Sequence, residues 1–518
     1  MVTGPAEFML TKIIATIGPA SESSDTMARM IEEGMRVVRV NFSHGTLEGH
    51  ARVLERVREE SDRAGLHIGV IGDLPGPKIR IDTVVEGGIE LTTGVIAEFH
   101  KQARVAGLAT SPPEPVRFST NTPEFIDDVQ VGDRILIDDG NIQLVCEERK
   151  GSGETAYLVC HVCQGGTVTS RKGINLPDTS LAFPSLTEQD LRCVDFAVEK
   201  EFDFLALSFV RSADDVRALK SRLGELGARS AKLSRESDGS NQYSSSASGV
   251  RAFIPVIAKI EKPQALDDLD NIIDEADVIM VARGDLGVEM DLAQVPVIQK
   301  RVVERCHDYG KPVVVATQML QSMIEAPTPT RAEVSDVANA IFEGADAVML
   351  SGETAVGIWP VETVRMMRRI ATRAHERLEA RPVQLDPPRK PRESRYRTAA
   401  LAHGVGVIVR DLDARLVVMW SQTGGGASYL SQNRLPRPIV AFSSRPTALR
   451  RMSVMYGVKP VLVDLPADTE TFVRDVDELL LKNGWAEKDD AIVIVLGEPI
   501  GVPGLTNKLR IHYVGDEQ

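Results

Sequence analysis

The stretch VIAKIEKPQALDDLDNIIDEADVIMVARGDLGVEM, residues 256–290, decides the reading of the fold. It holds two short apolar runs, VIAKI and VIMVA, and each ends in charged residues. Side chains in a strand alternate between faces, so Lys259 and Glu261 point the same way. The second run ends in Ala282-Arg283-Gly284-Asp285. A lysine and two carboxylates at neighbouring strand ends can hold a divalent cation and an anion together. Gly284 lets a ligand approach the backbone closely. The chemistry is expected here.

The same rhythm extends outward. FDFLALSF, KPVVVAT and ADAVMLS read as further buried strands with helical stretches between them. From Lys12 to Ile81, KIIATIG, RVVRVNF and HIGVIGD are β-rich. TMARMIEEGM and LEGHARVLERVREESDRAG carry apolar residues at three- and four-residue spacing, as helices do. The alternation predicts βα units and a parallel sheet.

Between 82 and 176 the texture changes to short alternating runs parted by Asp-Gly and Gly-Gly turns, and Asp139-Gly140 is a hairpin signal. This reads as a small β domain inserted into an α/β domain. The expected organisation is a barrel domain over 9–81 and 177–380, the insert at 82–176, a proline- and charge-rich linker at 381–397 and a further α/β unit at 398–518. Residues before Met9 read as an extension outside the fold. The serine-rich LSRESDGSNQYSSSASG (233–249) reads as a disordered surface loop.

At 518 residues, roughly two to four domains are expected. A net charge of −14 argues against nucleic acid and acidic membranes, which reward a basic face. No segment is apolar enough over sufficient length to span a bilayer, and no signal peptide is evident, so a cytoplasmic protein is expected. The five cysteines do not form a disulfide framework. Cys160 and Cys163 make a lone CxxC without a second pair, and we read them as ordinary thiols.

AKIE, VARGDLGVE, KPVVVATQMLQSM (311–323), PTRAEVSDVANAIFEGADAVMLSGETAVG (329–357), TKIIATIGPAS (11–21) and VVRVNFSHG (37–45) together resemble pyruvate kinase, in the right order and over nearly the whole chain. The resemblance implies a (β/α)8 TIM barrel with an inserted small β-barrel domain and a C-terminal α/β domain. It implies phosphoryl transfer from phosphoenolpyruvate to ADP, giving pyruvate and ATP, with Mg2+ (or Mn2+) as cofactor. A homotetramer regulated by a phosphorylated effector is expected.

Residue by residue, Glu261 and Asp285 match the family's magnesium ligands. Lys259 and Arg39 match contacts to the transferring phosphoryl group. Gly284, Asp285 and Thr317 match the substrate-carboxylate site, and Thr317 also lies near the face where the enolate takes a proton. Asn41, Ser43 and Asp73 match a monovalent-cation pocket. Asn41, His44, Arg80 and Lys172 match nucleotide contacts, and Arg80 is also assigned a catalytic part. Many pyruvate kinases read DTKGPEIRT and require potassium, whereas this chain reads DLPGPKIRI at 73–81. We expect the Lys78 ammonium to fill the cation pocket and replace potassium. The glycine-rich SQTGGGASYLS (421–431) follows a strand and precedes a helix, an arrangement suited to anions. Ser421, Thr423, Gly424 and Gly425 are the candidate effector contacts, with GEPIGVPGLTN (497–507) closing over them. The insert is expected to act as a lid.

Two other readings compete. A barrel aldolase or lyase using Mg2+ and an enolate accounts for Glu261, Asp285 and Lys259, but not for Arg80, Lys172, the insert or the C-terminal unit. A silent scaffold predicts loss of one of Lys259, Glu261, Asp285, Arg39 or Thr317, and all are present.

Overall fold

The computed structural model describes residues 8–102, 115–179, 181, 184–237, 254–380, 396–502 and 504–516. Eight parallel strands close a barrel in chain order: Lys12–Thr16, Met35–Asn41, Gly69–Asp73, Phe204–Leu207, Val256–Ile260, Val278–Ala282, Val313–Ala316 and Ala347–Leu350. Ile14, Val37, Ile71, Ile257, Met280 and Val314 fill the interior. The alternate set, including Ile13, Val38, Val70, Ala258 and Val281, packs against the surrounding helices. Burial on both faces is why these strands read as unbroken apolar runs.

The chain leaves the barrel through Ile79–Arg80 and returns through Gly173–Asn175, and these two strands pair antiparallel. They belong to a seven-stranded sheet whose separate core includes Phe99, Phe118, Phe125, Leu144 and Leu158. Arg134–Ile137 and Ile142–Lys150 form the expected hairpin, with Asp138, Asp139 and Gly140 all at positive φ. The C-terminal unit is a five-stranded sheet, parallel except for its last strand, Lys508–Tyr513, which lies at an edge.

The C-terminal unit also floors the barrel. Asp203, Asp277 and Asp346 each stand one residue before a barrel strand. Each accepts an N–H from the neighbouring strand: Val70 at 2.9 Å, Val256 at 2.9 Å and Val313 at 2.8 Å. Arg450 reaches Asp203 at 2.7 Å, and Arg434 reaches the fully buried Asp346 at 2.9 Å. Val454 joins the interior stack of the barrel. A Cβ on Gly69 would stand 2.5 Å from Ser453 Oγ and 2.7 Å from the Arg450 carbonyl, so this close approach requires glycine.

Several expectations change. The helix Ala213–Ser237 runs five residues into the stretch read as a loop, because ELGARSAKLSRE is rich in helix formers. Residues 238–253 lie outside those described, as does the linker at 381–395. The helix Tyr396–Asp411 begins inside that expected linker. Phe8 packs edge-on against Trp485 at 5.5 Å, so the fold starts before Met9. Cys160 is buried and Cys163 exposed, as strand alternation demands, and Cys160 pairs in register with Cys146 instead. All five cysteines are free.

Candidate active site

At the C-terminal end of the barrel, Lys259 continues the interior face marked by Ile257. Its ammonium lies 2.7 Å from Glu261 Oε1, 2.8 Å from Ser208 Oγ and 3.3 Å from Asp73 Oδ1. Burial opposes the lysine's charge, but Asp73 and Glu261 outweigh it and raise its pKa, so it stays an ammonium. Asp73 is fully buried too. Burial works against its ionisation, yet Lys259 and Arg39 together hold its carboxyl below the usual range. The Arg39 Nε lies 2.6 Å from Asp73 Oδ2, and its Nη1 donates to Thr16 Oγ1 at 3.1 Å. Two cations thus converge on one carboxylate at the mouth of the barrel, which fixes the position of both before any ligand arrives.

Glu261 follows the strand directly. Its Oε2 accepts the Phe209 N–H at 2.7 Å, and Phe209 takes φ of 56° to present it. Burial lifts the Glu261 carboxyl above the ordinary glutamate value; Lys259 pulls it back, and the charge on Asp285 adds to the lift. Asp285 stands in the first turn of the helix Arg283–Glu289. These two carboxylates suit a divalent metal, because a cation between them relieves the penalty that burial and mutual repulsion place on Glu261. Among the described residues no group of three or more His, Cys, Asp or Glu side chains is arranged as a metal site. A two-carboxylate site of this kind fits Mg2+, which keeps most of its positions for water and substrate oxygens.

Thr317 and Gln318 both lie at positive φ, 68° and 53°. Such backbone costs of order 1–3 kcal/mol per residue and persists only where the surroundings fix it. Here the Gly284 N–H donates to Thr317 Oγ1 at 2.7 Å, and the hydroxyl donates to the Ala316 carbonyl at 2.6 Å. Arg283, buried and ion-paired with Asp336 at 2.7 Å, donates to the Thr317 carbonyl at 2.8 Å. The buried Glu353 accepts the Leu320 and Ser351 N–H groups at 3.1 and 2.7 Å, securing the end of the same loop.

Asn41 is the register partner of Asp73, and its Oδ1 accepts the Ser43 N–H at 3.1 Å. His44 is exposed just beyond. Arg80 donates to the Arg171 carbonyl at 3.1 Å, and Lys172 pairs with Asp138 of the insert's hairpin at 2.5 Å. Both lie on the insert's hinge strands or their flanks, and both of these contacts are to the insert. Lys78 stands just before the hinge strand Ile79–Arg80. No hydrogen bond or ion pair among the described residues joins it to Asp73, whose charge is met by Arg39 and Lys259. Its methylenes lie against Gly173, and it lines a crevice with Asn175, Phe209, Arg211 and Lys262. The reason is sheet membership: Ile79 pairs with the insert's return strand, so Lys78 departs with the insert.

The glycine-rich loop lies at the opposite end of the barrel. Ser421, Thr423, Gly424 and Gly425 line a cavity of about 570 Å³ with Tyr309, Lys311 and Arg451. The cationic groups absent from the loop's own sequence come from the barrel base and from the helix Pro446–Met452.

A family model for the pyruvate kinase barrel domain matches residues 8–239 and 245–364, and one for the pyruvate kinase alpha/beta domain matches 399–512. Pyruvate kinases of Mycobacterium intracellulare and Mycobacterium tuberculosis are each 38% identical to this chain over 506 and 514 residues, 98% of this chain and of theirs. The chain belongs to the pyruvate kinase family. A further member, from Geobacillus stearothermophilus, is 37% identical over 508 residues, 98% of this chain and 80% of its own length. This pyruvate kinase family member is a phosphotransferase of that type.

Four residues at the site escaped the sequence reading. Ser208 lies just past the strand Phe204–Leu207 within the run FDFLALSF, on the face of Phe204 and Ala206, so the rule that found Lys259 would have found it. Arg283 and Glu353 bond loop backbone and Asp336 holds Arg283, and none of the three carried a comparable signal.

Proposed function

We propose that this pyruvate kinase transfers the phosphoryl group of phosphoenolpyruvate to ADP at the Lys259 cluster, as the last step of glycolysis. The observation that carries the reading is the convergence of Lys259 and Arg39 on the buried Asp73 beside Glu261. Preorganised positive charge of this kind stabilises a moving phosphoryl group and the enolate it leaves, without reorganisation during reaction. Lys259 and Arg39 hold the phosphoryl oxygens, and Lys259 also faces the developing enolate oxygen. The Gly284 backbone, Asp285 and the Thr317 hydroxyl bound the substrate-carboxylate site, and Thr317 orients proton delivery to the enolate.

Glu261 and Asp285 would hold Mg2+ or Mn2+, which supplies charge neutralisation of the phosphoryl oxygens when bound. Asn41, His44, Arg80 and Lys172 serve the nucleotide once the insert, acting as a lid over 82–176, closes and exchanges the Lys172–Asp138 contact for phosphate. We propose turnover without potassium. The Lys78 ammonium, standing where many family members carry a glutamate, would enter the Asn41, Ser43 and Asp73 pocket and supply the unit charge that potassium supplies in those members.

A phosphorylated effector in the cavity at Ser421, Thr423, Gly424 and Gly425 is supported by Lys311 and Arg451 across from the loop. A homotetramer is supported by large apolar side chains left exposed: Leu292, Val297 and Ile358, each about two-thirds exposed, and Ile511 and Tyr513 on the edge strand. Among the described residues no helix is long and apolar enough to cross a membrane, in keeping with a cytoplasmic site of action. The test is pyruvate formation from phosphoenolpyruvate and ADP with Mg2+, native protein against Lys259→Met. Equal rates would refute the assignment.

A further inference from the structure

Three buried side chains meet where the insert rejoins the barrel. Lys262 Nζ lies 2.5 Å from Glu289 Oε1, and the same oxygen accepts Asn175 Nδ2 at 2.7 Å. Relative exposures are 9% for Lys262, 2% for Glu289 and 3% for Asn175. The position of each partner matters more than the pair itself. Lys262 is the residue after Glu261. Glu289 stands one helical turn beyond Asp285 in the helix Arg283–Glu289, whose residues four apart share a face. Asn175 ends the return strand Gly173–Asn175, which pairs with the departure strand at Ile79–Arg80. One carboxylate therefore ties together the two segments that carry Glu261 and Asp285, and ties both to the hinge of the insert.

We infer that Glu289 is a positioning residue: it sets the separation of the Glu261 and Asp285 carboxylates and couples it to the position of the insert. The inference rests on the reading of those carboxylates as metal ligands. A buried ion pair contributes little net stability against an apolar replacement, but losing one partner leaves an uncompensated charge. Its geometry is thus tightly enforced. Residues that orient metal ligands without touching the metal typically change affinity by about 10- to 100-fold when replaced. Glu289 Oε2 and Asn175 Oδ1 are buried without hydrogen-bond partners. The three side chains therefore meet at the shared Oε1, so a change to the one carboxylate or the one carboxamide alters the joint.

The experiment is Mn2+ binding to the full-length protein without nucleotide, followed by electron paramagnetic resonance, alongside the thermal midpoint. Glu289→Gln keeps volume and the Asn175 bond; it should bind Mn2+ about tenfold more weakly, the lower end for a residue of this kind. Asn175→Ala should shift affinity in the same direction by less. Because Glu289→Gln also leaves the Lys262 charge uncompensated, Lys262→Met/Glu289→Gln separates the two causes. Weak binding in the double variant supports positioning, and native affinity there overturns it in favour of charge alone. Native affinity in Glu289→Gln also overturns it. If Glu289→Gln does not fold, native affinity in Asn175→Ala overturns it. Hydrogen exchange gives a second readout: Mn2+ should slow exchange at Gly173–Asn175 in the native protein and not in Asn175→Ala. Glu261→Gln is the control for the ligand reading. If it binds Mn2+ as the native protein does, the metal assignment has failed, whatever Glu289 does.

Discussion

Arg434→Met should detach the barrel floor in a pH-dependent way. The Arg434 guanidinium is 5% exposed and Asp346 fully buried, 2.9 Å apart, so the pair has almost no access to water. Removing one partner of such a pair costs about 3–5 kcal/mol. Asp346 keeps the Val313 N–H at 2.8 Å and Gln432 Nε2 at 3.1 Å, which places the loss near the lower end, about 3 kcal/mol. Stacking of Arg434 on Tyr456 at 4.5 Å is lost as well, worth about 0.5–2 kcal/mol. Burial already raises the Asp346 pKa, and Arg434 is the foremost group opposing that rise. Without it the folded-state pKa climbs further above the unfolded value. The folded variant then binds a proton that the unfolded chain has released, so its stability falls as pH rises between those two values. Urea unfolding followed by tryptophan fluorescence at pH 5.5 and pH 8 measures this. The variant should be destabilised at both, more strongly at pH 8. Asp346→Asn/Arg434→Met should recover part of the loss and lose the share of the pH dependence that Asp346 carries; the buried His307 and His375 keep theirs. A loss under about 1 kcal/mol, equal at both pH values, would refute the reasoning, since that is the range of an exposed pair.

Other outcomes are equally specific. Ser208→Ala removes one of three partners of the Lys259 ammonium; kcat should fall about 10- to 100-fold with KM for phosphoenolpyruvate little changed, as misplacement of a reacting group does. Steady-state kinetics decide this, and an unchanged kcat rejects it. Gly69→Ala drives a methyl against Ser453 and the Arg450 carbonyl; it should lower stability by about 1–3 kcal/mol, read as a lower thermal midpoint. Turnover should be equal in potassium and in sodium, and strict dependence on potassium removes the proposal built on Lys78.

How far the sequence could be read follows from where its information is local. The barrel strands were legible because burial on both faces leaves apolar runs such as VVVA and AVML. That eight of them close is a property of pairing, which periodicity does not carry; the family resemblance supplied it. Lys259, Glu261 and Asp285 were legible because alternation fixes the face and strand ends fix the height. The neighbours of Lys78 were not legible, because its place depends on which sheet Ile79 joins, a non-local choice. Glu289 and Asn175 meet across 114 residues, so neither suggested the other. Leu233–Ser237 was misread because serine-rich composition downstream outweighed the helix formers upstream.

The floor of the barrel has a consequence for synthesis on the ribosome. Val454, Arg434 and Arg450 are made after every barrel strand, yet they fill the interior stack and answer Asp346 and Asp203. A nascent chain that has emerged only to residue 380 holds eight strands with an open lower rim; Asp203 keeps Arg58 at 2.8 Å, but the buried Asp346 lacks Arg434. At about 5–20 residues per second, the wait for the floor is on the order of 4–15 s. During that interval the half-finished barrel is a natural client for chaperones, and a chain truncated before the C-terminal unit should aggregate rather than persist as a smaller enzyme.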